Sequence, residues 1–496
     1  MDPALRIYQL SNYLPAGKPF NTEDITFARI STDAQNCQPG DLFIAIVSAA
    51  GDGHDQIDVA FENGAVGILA ERLLPTNIPM VLVQDTRTAY SRLNQALHGN
   101  PTSNVRTIAV TGTPATRSFT HLLSHAYNHC GIQTGVIAPT TQHPDCPVTD
   151  HYTAAIQTLQ EAGADTVILE LTPEELASRI YDGLEFDRLV LTGVDTIAEE
   201  FDGSPTAYEN SIGRAYSLLK PNGVAIINLA DPITRFEFLP TQHPFLSVGN
   251  NDEADVSAQL VEQGRSGQRF RIFAGESSAE LFTPILGPQH IYNCLQTIAT
   301  GLLDNLDFSK LCEALEAYDH SPGQLMPISH GQPFDVFLDR ADNAKQLSRA
   351  IRALRQVTNG KLIVVYGPSA SQPKPVRVAM GQVAEKFADV SIITENNPEY
   401  EDPLEIAHDV LDGYTRSADA YVIPGRERAI VWALTQAEPE DTVLICGKGD
   451  DTSHVMGSEV FYFDDAEIVK ICLEEIQHPV AKYGRDVFRI DDYRES

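Results

Sequence analysis

From Thr107 onward the chain alternates short apolar runs with helix-length segments, and this alternation constrains the fold more than any other feature. TIAVTG, TGVIAP, DTVILEL, RLVLTGV and GVAIINL read as strands, with the continuous apolar character of strands covered on both faces. FTHLLSHAYNHCG, HYTAAIQTLQEAG and SPTAYENSIGRAYSLLK read as the helices between them. The pattern predicts a mostly parallel sheet wrapped by helices. FRIFAGESSAELFTPILG has hairpin-like alternation, a helical stretch runs to Ala317, and DHSPGQLMPISHGQP breaks the series. A second series then begins, with strands FDVFLD, KLIVVYG, DVSIITE, AYVIP and DTVLICG separated by helices such as NAKQLSRAIRALRQVT and PLEIAHDVLDGY. It predicts a Rossmann-like, doubly wound domain.

The first hundred residues hold strands GDLFIAI, VGILAE and PMVLVQD and a helix DQIDVAFENGA, and the turn-rich LHGNPTSNVR closes them near residue 101. With 496 residues the chain exceeds what one core supports. The expected fold class is α/β in three domains, 1–101, 102–328 and 329–496.

Charge narrows the function. With 35 Lys+Arg against 68 Asp+Glu the net charge is -33, the opposite of a nucleic-acid footprint, and any phosphate ligand needs a local basic or amide-rich pocket. No run of about 18 apolar residues is present, so no membrane span is expected. MDPALRIYQLSNYLPAG lacks a basic segment followed by an apolar core, so no signal peptide is expected. The seven cysteines form no C-x-x-C and read as reduced thiols of a cytoplasmic protein.

The stretch TIAVTGTPATRS, Thr107 to Ser118, has the setting of a phosphate-binding loop: strand, small-residue turn, helix. The lysine of G-x-x-x-x-G-K-[ST] is missing.

Taken in order, VTGT opening the second domain and GKGD near the end of the third resemble the Mur ligase family, most closely its UDP-N-acetylmuramoyl-tripeptide synthetase branch. ISTDAQNCQPGDLFIAI, DGHDQIDVAFENGAVGILAE, VAMGQVAEKFADVSIITENNPEYEDPLEIAHDVLDG, GRERAI and FDDAEIV extend the resemblance over nearly the whole chain. It implies a UDP-sugar-binding-like first domain, an ATPase-like central domain and a C-terminal ligase domain. The implied activity joins an amino acid to a nucleotide-linked peptide through an ATP-made acyl phosphate.

The resemblance also marks departures. Against the family's T-G-T-N-G-K-T, Thr111, Gly112 and Thr113 fit, followed by Pro114, Ala115, Thr116 in the lysine position, Arg117 in the Mg²⁺-ligand position, and Ser118. Glu170 aligns with a metal-binding glutamate, Ala198 with a metal-binding histidine, and Ile212 with a lysine that is carbamylated in the family, so these three are expected as a vestigial metal site. In the UDP-site-like segment Ser31, Thr32 and Asp33 remain, with Ala34 and Gln35 in place of Ser-Arg.

In the C-terminal substrate-site-like set, Asp339 remains and Asp342 occupies a nucleotide-contacting histidine position. Gln324 replaces an arginine, and Ser371 and Gln372 replace an Asp-Arg pair, leaving Lys374 and Arg377 as nearby cations. Asn397 and Pro398 persist, with Glu399 where the family's arginine grips a substrate carboxylate; Arg426, Gly447, Lys448, Gly449 and Asp451 complete the set.

The expectation drawn from these losses is a Mur-ligase-like pseudoenzyme with no intact catalytic residues and no cofactor. Its implied role is binding or regulatory, with another cell-wall ligase or peptidoglycan-synthesis protein as partner. The alternatives are an active ATP- and Mg-using ligase with an atypical ATP site, and a sugar-nucleotide binder.

Overall fold

A computed structural model describes residues 5–6, 10–14, 16–21, 26–27, 29–48, 51–112, 116–139, 149–193, 205–231, 234, 243–251, 253–319, 323–416 and 420–477. These residues fall into two compact units, one of 1–259, 271–279 and 292–317, the other of 260–270, 280–291 and 318–496.

The first unit opens with a small sheet of β1 (Lys18–Phe20), β2 (Arg29–Ser31), β3 (Asp41–Ile44), β4 (Gly67–Ala70) and β5 (Met80–Leu82), in the order β1-β5-β4-β3-β2. Only β1 runs antiparallel to its neighbour. Helix α1 (Thr86–Leu97) follows, capped by Asp85, whose carboxylate accepts from the Thr88 amide.

The central sheet is built from β6 (Arg106–Thr111), then, after helix α2 (Thr116–His129), β7 (Thr134–Ile137), β8 (Thr166–Glu170) and β9 (Phe186–Leu191). After helix α3 (Pro205–Ala215) come β10 (Leu219–Asn228) and β11 (Phe245–Gly249). These strands lie in the order β7-β8-β6-β9-β10-β11, all parallel. Strand β10 begins four residues before the apolar run GVAIINL, because Leu219 already pairs with Phe186; residues 220–222 then interrupt the register before Val224 pairs with Arg188. Ala109, Leu169, Leu189, Leu191 and Ile227 bury one face against Tyr152, Ile156, Tyr208 and Ile212.

The second unit is doubly wound. Its parallel strands are β12 (Asp335–Asp339), β13 (Leu362–Tyr366), β14 (Val390–Ile393), β15 (Ala420–Val422) and β16 (Thr442–Cys446), in the order β12-β16-β13-β14-β15, with the short Met326–Pro327 strand antiparallel on the edge beside β12. Alternate residues feed opposite cores. Phe337, Val364, Tyr366 and Leu444 meet helices α4 (Ala344–Arg355) and α5 (Lys374–Phe387). Leu338, Ile363, Val365 and Ile445 meet α6 (Arg426–Gln436) and α7 (Asp465–Gln477). Between β16 and α7 lies a hairpin, β17 (Ser453–Met456) and β18 (Glu459–Tyr462). Ligand sites in open parallel sheets lie outside the carboxyl ends of the strands, which directs attention to the ends of β6, β8 and β9 in one unit and of β12, β14 and β16 in the other. Among the described residues no helix is long and apolar enough to cross a membrane.

Candidate functional site

At the carboxyl edge of the central sheet β6 ends at Thr111, which is fully buried and donates its hydroxyl to the Leu171 carbonyl at 2.9 Å. Gly112 follows with φ +123, and a Cβ there would lie 2.3 Å from the Gly193 carbonyl oxygen, so only glycine fits this crossing. Helix α2 starts at Thr116, with Arg117 exposed and Ser118 buried. The expected strand–turn–helix is therefore present, and it aims a fourteen-residue helix N-terminus at the turn. Thr113, Pro114, Ala115 and Ala198 lie outside the described residues.

Glu170 does stand at the end of β8, but buried, with Thr120 of α2 donating its hydroxyl to the carboxylate. Ile212 is 1% exposed and packs in the core under the sheet, so its side chain is part of the packing rather than of a site. Among the described residues no group of three or more His, Cys, Asp or Glu side chains is placed to hold a metal.

A second buried carboxylate, Glu175, lies nearby, and no motif marked it. The Tyr152 hydroxyl donates to both of its oxygens at 2.9 Å, and the Tyr181 hydroxyl donates to Oε2. Burial, then the neighbouring Tyr152 and Glu175, push the Tyr181 phenol well above its usual range, which keeps it a donor.

In the small sheet Ser31, at the end of β2, donates its hydroxyl to the Asp33 carbonyl at 3.0 Å. Asp33 accepts from the Gln35 amide at 2.9 Å and from the Asn36 side chain at 2.7 Å, and Thr32 is half-buried between them. These three residues form one local turn with an exposed carboxylate.

The carboxyl edge of the second unit is knitted by buried ions. Arg426, 1% exposed, pairs with Asp465 through Nε–Oδ1 at 2.8 Å and Nη2–Oδ2 at 2.6 Å, and donates to the Cys446 carbonyl at 2.8 Å. Burial alone would lower its pKa, yet Asp465 outweighs that and raises it. Lys448 is buried in the Gly447–Lys448–Gly449 turn, whose two glycines have φ +114 and +57. Its ammonium donates to Asn397 Oδ1 at 3.0 Å and to the Ser453 carbonyl, and lies over the Phe463 ring. Burial, then the nearby Arg426, lower its pKa to about 8.

Asp451 accepts from the Ser453 amide at 2.9 Å and hydroxyl at 2.7 Å. Pro398 is buried between Asn397 and Glu399, which both take positive φ, +47 and +52. Arg377 and Lys374 are paired rather than available: Arg377 with Glu401 and Asp409, Lys374 with Asp409 and Asp412.

Asp339 ends β12 with its carboxylate buried, accepting from the Leu325 amide at 2.9 Å and the Ala341 amide at 2.8 Å. Burial outweighs these bonds and raises its pKa from the usual 3.8 to about 6. The folded state thus binds the proton more tightly than the unfolded chain. The resulting stabilisation is complete below about pH 4 and is lost as pH rises through about 6, a contribution of roughly 2–3 kcal/mol. Asp339→Asn is expected to remove this component. The check is the urea midpoint from pH 4 to 7 followed by the chain's single tryptophan, Trp432, which sits on α6 in this unit.

The central parallel sheet with a glycine crossing ahead of a helix N-terminus and the doubly wound second unit define a multidomain α/β class, and the comparisons name the family. The Mur ligase middle domain matches residues 110–301, and the Mur ligase glutamate ligase domain matches residues 325–449. The chain belongs to the Mur ligase family, whose members are ATP-dependent amide ligases.

It is similar to the UDP-N-acetylmuramoyl-L-alanyl-D-glutamate–2,6-diaminopimelate ligase of Bacillus velezensis, with 30% identity over 95% of this chain and 99% of that one. The ligase of the same name from Geobacillus thermodenitrificans is 29% identical over 90% and 94% of the two chains. A solved structure of a protein with that name superposes with a TM-score of 0.69 at 22% identity, covering 96% of this chain and all of the other, which supports the fold.

These findings correct the expectation of a pseudoenzyme without catalytic residues or cofactor. Relatives matched over almost the full length carry the name of the ligase, which favours the alternative of an ATP-dependent ligase with an atypical ATP site.

Proposed function

We propose that this chain is an ATP-dependent ligase that joins an amino acid to a UDP-N-acetylmuramoyl peptide, using a phosphate site of unusual composition. The observation that carries the reading is 30% identity across 95% of the chain to a protein named for that reaction. In such a reaction a carboxylate oxygen of the peptide attacks the terminal phosphorus of ATP and ADP leaves. The amino group then attacks the acyl carbon, and phosphate departs with one former carboxylate oxygen.

Residues of this chain supply the setting. The Gly112 crossing lets β6 pass close against Gly193 on its way to α2, and the N-terminus of α2 offers amide donors and a positive dipole end. With threonine at 116 where the family has lysine, one charge-assisted phosphate contact worth roughly 1.5–3 kcal/mol is absent. A KM for ATP raised about tenfold or more above that of a relative with the lysine is therefore expected. Thr116→Lys combined with Arg117→Thr is expected to lower it.

The test of the reading is phosphate release by the purified chain with ATP, UDP-N-acetylmuramoyl-L-alanyl-D-glutamate and a panel of amino acids, with product mass measured. Release that requires both the peptide and one amino acid, with a product of the summed mass, supports the reading; no product with any amino acid removes it.

A further inference from the structure

One edge of the β17–β18 hairpin is tied to the second unit and the other is open. Thr452 and Phe463 continue its register, and the Phe463 amide donates to the Thr452 carbonyl at 2.9 Å. Every second pair of an antiparallel ladder bonds in this way. His454 with Phe461 and Met456 with Glu459 therefore bond inward, while the backbones of Ser453, Val455, Val460 and Tyr462 turn outward. On the β17 side those outward groups are used. The Val455 amide donates to Asn397 Oδ1 and its carbonyl accepts from the Glu399 amide, both at 3.1 Å. The Ser453 amide donates to Asp451 and its carbonyl accepts from Lys448. On the β18 side the sheet stops at two strands, and the amides and carbonyls of Val460 and Tyr462 meet no partner among the described residues.

The open edge is also apolar. Tyr400, Tyr462 and Val460 are the three most exposed large apolar side chains among the described residues, at 82, 71 and 68%. Phe461 and Met456 are exposed beside them. Tyr400 joins this surface because Glu399 bridges to Met456, and a Cβ on Gly457 in the hairpin turn would lie 4.0 Å from the Tyr400 ring. Edge strands are ordinarily blunted by Lys, Pro or a bulge, and β18, with the sequence EVFY in continuous register, has none of these.

Charge selects the kind of strand that fits. From Asn396 to Thr415 and from Gly449 to Val469 the chain carries Asp and Glu but no Lys or Arg. Asp464 and Glu467 lie beside the Tyr462 phenol, and Glu459 and Glu399 are exposed at the turn end of the hairpin. An acidic strand is repelled here and a basic one is drawn in.

We infer that the outer edge of β18 pairs with an extended basic segment of a partner protein, in which Lys or Arg alternates with apolar residues. Its apolar face packs on Val460 and Tyr462, its cations meet the surrounding carboxylates, and its backbone completes the hydrogen bonds that β18 leaves open. The pairing is independent of the ligase reading.

The test is fluorescence anisotropy of the full chain with a labelled synthetic peptide of alternating lysine and valine. One control peptide alternates glutamate and valine; the other is the lysine–valine peptide N-methylated at every residue, which keeps the charge and loses the backbone donors. The lysine–valine peptide is expected to bind at least tenfold more tightly than either control. Val460→Thr with Tyr462→Ser is expected to weaken it at least tenfold with the urea midpoint of the second unit unchanged, and Leu73→Ser, at an exposed apolar position of the first unit, to change it less than twofold. No binding, equal binding of the N-methylated peptide, or binding unaltered in the double variant would overturn the inference. A dimer that the double variant dissolves gives the edge to a second copy, and peptide binding that emerges only on removal of residues 478–496 gives it to that segment; either result overturns the inference as well.

Discussion

Replacing Asp465 with alanine is expected to destabilise the second unit by about 3–5 kcal/mol. Asp465 and Arg426 are both fully buried, joined by two short parallel bonds, and the guanidinium also holds the Cys446 carbonyl at the end of β16. Removing the carboxylate leaves a buried cation that keeps the Cys446 and Glu395 carbonyls and loses its counter-charge. Glu395 is drawn in as well, because it accepts from the Gly425 and Arg426 amides at 2.9 and 3.1 Å and so ties the start of α6 to the end of β14. Arg426→Met with Asp465→Leu removes both charges together and is expected to cost much less than either single change, since a buried pair seldom outperforms well-packed apolar side chains. Urea unfolding followed by Trp432 fluorescence reads both variants.

Gly112→Ala is the second large effect, expected at about 2–5 kcal/mol on the central sheet. Its φ of +123 lies outside what an L side chain adopts cheaply, and the added methyl would sit 2.3 Å from the Gly193 carbonyl, 3.0 Å from Thr192 Oγ1 and 3.2 Å from the Gly193 amide. Two of these three neighbours are backbone, so relief requires β6 and β9 to part where they pair from Ile108 to Thr111. The expected readout is faster hydrogen exchange at the Thr192 amide, which donates to Thr111 at 3.0 Å, with a loss of ATP-dependent activity of at least a hundredfold. Gly163→Ala also alters a glycine at positive φ, but it has open space around its Cβ position and lies away from the crossing, so it should leave the activity unchanged.

The elements were legible because their signals are local. DTVLICG and KLIVVYG are continuous apolar runs, and both became central strands buried on two faces. The turn in GKGD was legible from its glycines, and both take the positive φ such a turn requires. Ile212 was legible as apolar, and it lies in the core.

What sequence could not convey was which polar groups meet across long separations. Arg426 finds Asp465 39 positions away, Lys448 finds Asn397 51 away, and Thr120 finds Glu170 50 away. The first two pairs follow from the strand order of the second unit and the third from β8 lying beside β6, which leads into α2, and composition carries no trace of either. Lys374 and Arg377 illustrate the same limit: as residues they were spare cations, while the fold places Glu401, Asp409 and Asp412 against them. The missing side chains at 116, 198 and 212 pointed to lost activity, whereas similarity over almost the full length to proteins named as ligases favours a ligase with an atypical ATP site.

The central claim is that this chain drives amide formation by phosphorylating a carboxylate. The direct measurement uses UDP-N-acetylmuramoyl-L-alanyl-D-glutamate labelled with ¹⁸O in the D-glutamate side-chain carboxylate, incubated with the purified chain, ATP and an amino acid. One labelled oxygen per product is expected in the released phosphate. Product without transfer of label, or ATP turnover with all the label retained in the peptide, would contradict it.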